Sequence, residues 1–108
     1  MTEQHPRLSR AEVRQIARQV IQAELEGIRS LETLFASEPF AQAAQLLLTC
    51  PGRILIFGLG KSGLAGQRIA ASLRSTGSPS IFIHPVEAVH GDLGIVAPDD
   101  VAILISKS

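Results

Sequence analysis

An aliphatic run, Ile54-Leu55-Ile56-Phe57, breaks directly into Gly58-Leu59-Gly60-Lys61-Ser62-Gly63, and this junction constrains the fold more than any other stretch of the chain. A continuous apolar run suits a parallel strand covered on both faces. Glycines straight after it, followed by a helical pattern, make a strand–loop–helix unit that aims backbone N–H groups at an anion. A phosphate-bearing ligand is the first expectation, and two motifs test which phosphate it is.

The Walker A pattern needs glycine five positions before the Gly-Lys pair, so that a long loop wraps a nucleotide phosphate. That position is Leu55, inside the strand, and the pattern fails. Gly58, Gly60 and Gly63 do match G-x-G-x-x-G, which also calls for an acidic residue about 20 positions on to hold a ribose hydroxyl. The second strand, Ser80 to Ile83, ends instead in His84-Pro85, which disfavours NAD. A small phosphorylated molecule fits better, with Lys61 supplying charge and Ser62 a hydroxyl.

The rest of the chain divides by hydrophobic period. From Ser9 to about Phe35, apolar residues recur as Val13, Ile16, Val20, Leu25 and Ile28, a helical stripe opened by a Ser9–Glu12 capping box and open to a bend at Gly27. A second helix follows Ser37-Glu38-Pro39 and stops at Cys50-Pro51-Gly52. This helical segment, residues 1–51, is a candidate oligomer contact. From Gly52 the pattern becomes a strand from Arg53 to Phe57, then a helix starting near Ser62 with Ala65, Ile69 and Leu73 on one face, Arg68 and Arg74 outward, and Gly77 closing it. The strand Ser80–Ile83, a polar histidine-bearing linker from His84 to Gly94, and a third strand, Val101–Ile105, complete the chain. The fold class is α/β: N-terminal helices followed by an incomplete doubly wound parallel sheet of about three strands. The chain ends in Ser106-Lys107-Ser108 with no helix to cover its last strand. The expectation is a piece of a longer protein, or an edge covered by another chain.

Composition removes several function classes. Ten basic and ten acidic residues balance, so no overall basic field gathers nucleic acid, and four Phe with no Tyr or Trp leave few base-stacking platforms. The first six residues are polar and no apolar run is long enough to span a bilayer, so neither a signal peptide nor a membrane span is read. One cysteine, Cys50, allows no internal disulfide, reads as an inert small apolar residue, and leaves the cytoplasm as the default compartment. His84 and His90, with Asp92 nearby, lack a clear third and fourth ligand for a structural zinc; Asp92 and Glu87 read as groups that cap or orient the linker.

The segments GLGKSG, STGSPSIFIHPVEAVHGDLGIV and DDVAILISKS together resemble the SIS (sugar isomerase) domain of the arabinose-5-phosphate isomerases. The resemblance covers nearly the whole chain, and HPxEAxHGDLG is far more specific than the glycine loop. It implies a flavodoxin-like SIS fold whose first part is residues 52–108, with the remaining strands and paired CBS domains outside this sequence. It implies interconversion of ribulose 5-phosphate and arabinose 5-phosphate for Kdo synthesis, and a homo-oligomer, a tetramer in full-length members. By position, Lys61 matches a catalytic lysine, with Gly60 and Ser62 binding substrate in the same loop. Gly77, Ser78, His84 and His90 match substrate contacts, and His84 also a ligand of an inhibitory zinc; no cofactor is required. Ser106 and Ser108 match the serines of an SxSGE phosphate loop, where Lys107 replaces the asparagine commonly found between them. The proton-transferring glutamate and a further catalytic histidine are expected beyond Ser108, so the isolated chain is expected to bind but not to turn over.

Two other classes stay open. A noncatalytic sugar-phosphate sensor would use the same domain, although the first 50 residues lack the basic recognition helix of a transcription regulator. A nucleotide-binding α/β domain is weakened by the failed Walker spacing and the absent acid.

Overall fold

The computed structural model describes residues 7–107 and divides the chain into two compact units, one up to Ala41 and one from Gln42 to the end. In the first unit, α1 spans Arg10–Arg29. Its capping box forms in both directions: Glu12 N–H donates to Ser9 Oγ at 3.1 Å and Ser9 N–H to Glu12 Oε1 at 3.2 Å. Such a cap is worth about 1 kcal/mol. The helix runs through Gly27 without interruption, since glycine in a helix interior costs only about 1 kcal/mol against alanine. The short helix α2, Glu32–Phe35, leads into α3, Glu38–Leu48, with the Phe35 and Phe40 rings packed edge to face at 4.6 Å between centroids. Ser37 serves as the expected cap, accepting from Phe40 N–H at 3.4 Å. The apolar stripe of α1 is about half exposed, and none of its residues is buried.

The second unit is a three-stranded parallel sheet in the order β2-β1-β3, with β1 at Ile54–Gly58, β2 at Ser80–Ile83 and β3 at Val101–Ile105. All five residues of β1 are buried, as its unbroken apolar run requires of a central parallel strand. Side chains alternate between two faces. Leu55, Phe57 and Ile83 pack with Ala88, while Ile54 and Ile56 pack with Ala70, Leu73, Phe82, Ile103 and Ile105. Among the described residues β3 pairs only with β1, and Leu104 on it is 77% exposed.

Helix α4, Gly60–Ser75, covers one face of the sheet. It begins two residues before Ser62, which puts Lys61 and Ser62 in its first turn. Of the expected face only Leu73 packs against the sheet: the residues α4 buries are Gly63, Gly66 and Ala70, while Ala65 and Ile69 are exposed. Close approach decides this. A Cβ on Gly66 would stand 3.0 Å from Ile56 Cγ2 and 3.1 Å from the Phe82 ring, so the space between helix and sheet is already filled from the sheet side. Arg74 is not simply outward either, since its guanidinium donates to the Ser80 carbonyl at 3.1 Å. Gly77, at φ 94°, follows the end of the helix as expected.

The linker after β2 is not an irregular loop. His84 caps α5, Pro85–Val89, with proline in the first helical position, and a 3₁₀ turn follows at Asp92–Ile95. Five residues are too few to show a helical period in the sequence, which is why the pattern reads there as a linker.

At the N-terminal ends of β1 and β3 the chain is tied by Asp100, whose side chain is 3% exposed. Its carboxylate accepts from Arg53 N–H at 2.8 Å, Ala97 N–H at 2.8 Å and the Arg53 guanidinium at 3.2 Å. The Arg53 backbone amide first, then that of Ala97, hold this carboxyl below its ordinary value of 3.8; burial opposes them, and the Arg53 guanidinium adds a weaker lowering effect. Gly52 fits because a Cβ there would meet Asp100 Oδ1 at 2.6 Å. The Cys50 thiol lies 3.6 Å from the carbonyls of both Arg53 and Asp99.

Candidate functional site

Strand order β2-β1-β3 means that the chain leaves β1 to one side and returns on the other, so a crevice opens between the C-terminal ends of β1 and β3. Open α/β sheets bind ligands at such a switch point. A cleft of about 400 Å³ occupies this position. Phe57, Gly58 and Leu59 come from the end of β1, Leu104 to Lys107 from the end of β3, Ser62 from α4 and Pro85 from α5.

The glycines set the cleft's floor. A Cβ on Gly58 would stand 2.7 Å from the Ser62 carbonyl oxygen, and one on Gly63 would stand 2.7 Å from the Gly58 carbonyl oxygen. Strand end and first helical turn therefore touch backbone to backbone. Gly60 has a different reason: its φ of 57° is costly for a residue with a Cβ. With the turn held in this way, the first amides of α4 have no intrahelical acceptor, Leu59 offers no side-chain cap, and no acidic residue stands in the first turn. The first backbone bond is Gly63 N–H to the Leu59 carbonyl at 3.1 Å. The helix dipole adds roughly half a positive charge at this end.

The structure brings some of the sequence-assigned residues to the cleft and separates others. Ser62, half-buried, lines it from the first turn of α4, and Ser106, exposed, from the end of β3. Lys61 is exposed in the first turn beside Ser62, at the mouth rather than among the lining residues. His84 directly follows β2, on the same edge of the sheet, and its Nδ1 accepts from Val86 N–H at 3.2 Å, which leaves Nε2 as the outward donor in the neutral ring. His90 ends the same helix. The two histidines are six positions apart, roughly 9 Å along a helical axis. Gly77 and Ser78 are not brought to the cleft. They line a small pocket of about 180 Å³ with Cys50 and Pro79 at the beginning of β2, one full length of the 16-residue α4 away. Ser108 lies outside the described residues.

A metal fits these residues poorly. Among the described residues no three His, Cys, Asp or Glu side chains form a metal-binding group, and Nδ1 of His84 is already engaged by its cap. Also among the described residues, no helix is long and apolar enough to cross a membrane.

Sequence reading missed the apolar lining from Phe57, Pro85 and Leu104, because residues far apart in sequence meet there only through strand order. It also missed the Arg53–Asp100 tie, whose partners are 47 positions apart and carry no periodic signal.

Residues 47–108 match the SIS domain family. Two curated relatives are both called arabinose 5-phosphate isomerase KdsD. The one from Yersinia pestis is 44% identical over 94 residues, covering 87% of this chain and 28% of the relative. The one from Pseudomonas aeruginosa is 45% identical over 92 residues, covering 85% and 28%. The chain thus spans under a third of the length of these relatives. A solved structure from E. coli CFT073, in complex with arabinose 5-phosphate, superposes with a TM-score of 0.80 at 39% identity and covers 94% of this chain and 53% of that one.

Proposed function

Because this chain belongs to the SIS domain family, we propose that it forms one wall of the sugar-phosphate pocket of an aldose–ketose isomerase interconverting D-ribulose 5-phosphate and D-arabinose 5-phosphate. The observation that carries this reading is that Ser62 and Ser106 line one switch-point cleft, beside the uncapped start of α4. Two hydroxyls and a set of free amides around a positive helix end suit a phosphate group. The names of the relatives, and the arabinose 5-phosphate held by a chain 39% identical to this one, support the sugar.

In this reading the phosphate sits against Ser62, Ser106 and the first amides of α4, and the sugar extends towards Pro85 and His84. Proton transfer between C1 and C2 through an enediol needs a base and a cation to stabilise the developing oxyanion. Lys61 at the mouth supplies the cation, and Nε2–H of His84 a hydrogen bond to a sugar oxygen. No described residue is given the base. A substrate held in this cleft is bound without Gly77 and Ser78. The reaction draws on no cofactor, and zinc at His84 acts only as an inhibitor. The wider protein is read as a cytoplasmic homo-oligomer in the route to Kdo of lipopolysaccharide, and the half-exposed apolar stripe of α1 suits an oligomer contact.

Calorimetric titration of the 108-residue chain with arabinose 5-phosphate, glucosamine 6-phosphate and NAD tests the reading, together with an isomerase assay on ribulose 5-phosphate. Binding of the pentose phosphate in preference to the other two, with little turnover, is the expected result. Preference for NAD would overturn it in favour of a nucleotide-binding domain, and preference for the hexosamine phosphate would favour a sensor.

A further inference from the structure

The cleft has one cation, Lys107, and no carboxylate among its lining residues, and a second lysine, Lys61, stands at its mouth. Lys107 lines it beside Ser106, two residues past the end of β3, and Lys61 is exposed in the first turn of α4, next to the lining Ser62. Among the described residues neither lysine makes an ion pair; the pair that does form, Arg53–Asp100, lies at the other end of the strands. Two lysines and a helix end together offer about 2.5 positive charges, the helix supplying about half of one. A phosphate monoester carries up to about two negative charges near neutral pH, with a second pKa of about 6. A sulfate ester of the same shape carries one.

Resting on the sugar-phosphate reading above, we propose that Lys107 is a specificity-determining residue that selects a phosphate monoester in its dianionic form. Coulomb attraction scales with ligand charge, so removing one lysine costs a dianion twice as much, in logarithmic terms, as a monoanion. A residue that merely shaped the loop would weaken both ligands alike. The expected loss is on the order of tenfold for the dianion and threefold for the monoanion at an exposed, salt-screened site.

The test is calorimetric titration of the chain and of its Lys107→Asn and Lys107→Arg variants with arabinose 5-phosphate, arabinose 5-sulfate and free arabinose. Support consists of about tenfold weaker phosphate binding and about threefold weaker sulfate binding in Lys107→Asn, with Lys107→Arg close to the parent for both. Equal weakening for both esters, no weakening, or failure of arginine to restore binding would overturn the assignment of Lys107 while leaving the pocket in place. If the parent chain prefers neither ester over free arabinose, the sugar-phosphate reading itself fails and takes this assignment with it. Thermal melts of the three proteins show whether each binding change occurs in a folded chain; the exposure of Lys107 predicts superposable melts.

Discussion

The two ends of the three-stranded sheet treat polar groups in opposite ways. At the N-terminal end, Asp100 is nearly enclosed and accepts from two backbone amides and a guanidinium, so its charge is spent on joining the start of β1 to the start of β3. At the C-terminal end, Ser62, Ser106 and Lys107 face an open cleft beside a helix start with no cap. Donors matched to an acceptor within the chain stabilise it; donors left facing a cleft are available to a ligand. The same pair of strands supplies both, and their parallel register decides which residues reach which end.

The largest expected effect breaks this contrast from the middle. Gly63→Ala places a Cβ 2.7 Å from the Gly58 carbonyl oxygen, and backbone cannot move aside as a flexible side chain would. A loss of roughly 1–3 kcal/mol is expected, as is normal for overpacking, with ligand binding lost as the first turn of α4 is pushed off the strand. Denaturant unfolding and calorimetry measure the two parts, and an alanine variant with parental stability would refute the backbone contact.

Asp100→Asn attacks the closed end alone. It should lower the Tm near neutral pH while leaving the affinity of the cleft for a sugar phosphate close to the parent's. Because the folded carboxyl titrates below its ordinary value of 3.8, its contribution is fully present above that value and is lost as pH falls through the lowered one. The Tm difference between parent and variant should therefore shrink only below pH 3.8, and a difference that stays constant there would argue against the charged tie. The smallest effect on stability is expected at the open end. Lys61→Ala should change unfolding by no more than about 0.5 kcal/mol, as for exposed positions generally, yet weaken phosphate binding measurably. Unchanged binding would remove Lys61 from the site.

How far the sequence could be read differs between these ends in the same way. β2 and β3 fall where their aliphatic runs place them, and the glycine loop leads into a helix beside the cleft, since local period and turn chemistry are recorded within a few residues. The buried face of α4 was not legible from its own hydrophobicity. Gly63, Gly66 and Ala70 turn inward because Ile56 and Phe82 already occupy the space, a fact that belongs to the sheet rather than to the helix. The five-residue α5 had too short a period to register, although His84-Pro85 is a start signal in retrospect. The Arg53–Asp100 tie and the apolar lining of the cleft depend on register and strand order, which no local window contains.

The contact between Gly58 and Gly63 has a consequence for how a pocket of this kind can diversify. Where two backbones meet, no side chain is available to be exchanged, so the floor of the cleft is closed to gradual change by substitution. Novelty has to enter at the part of the rim away from the phosphate, through Pro85 and Leu104. A fixed floor with a variable rim lets one way of gripping an anion be kept while the molecule attached to that anion is changed.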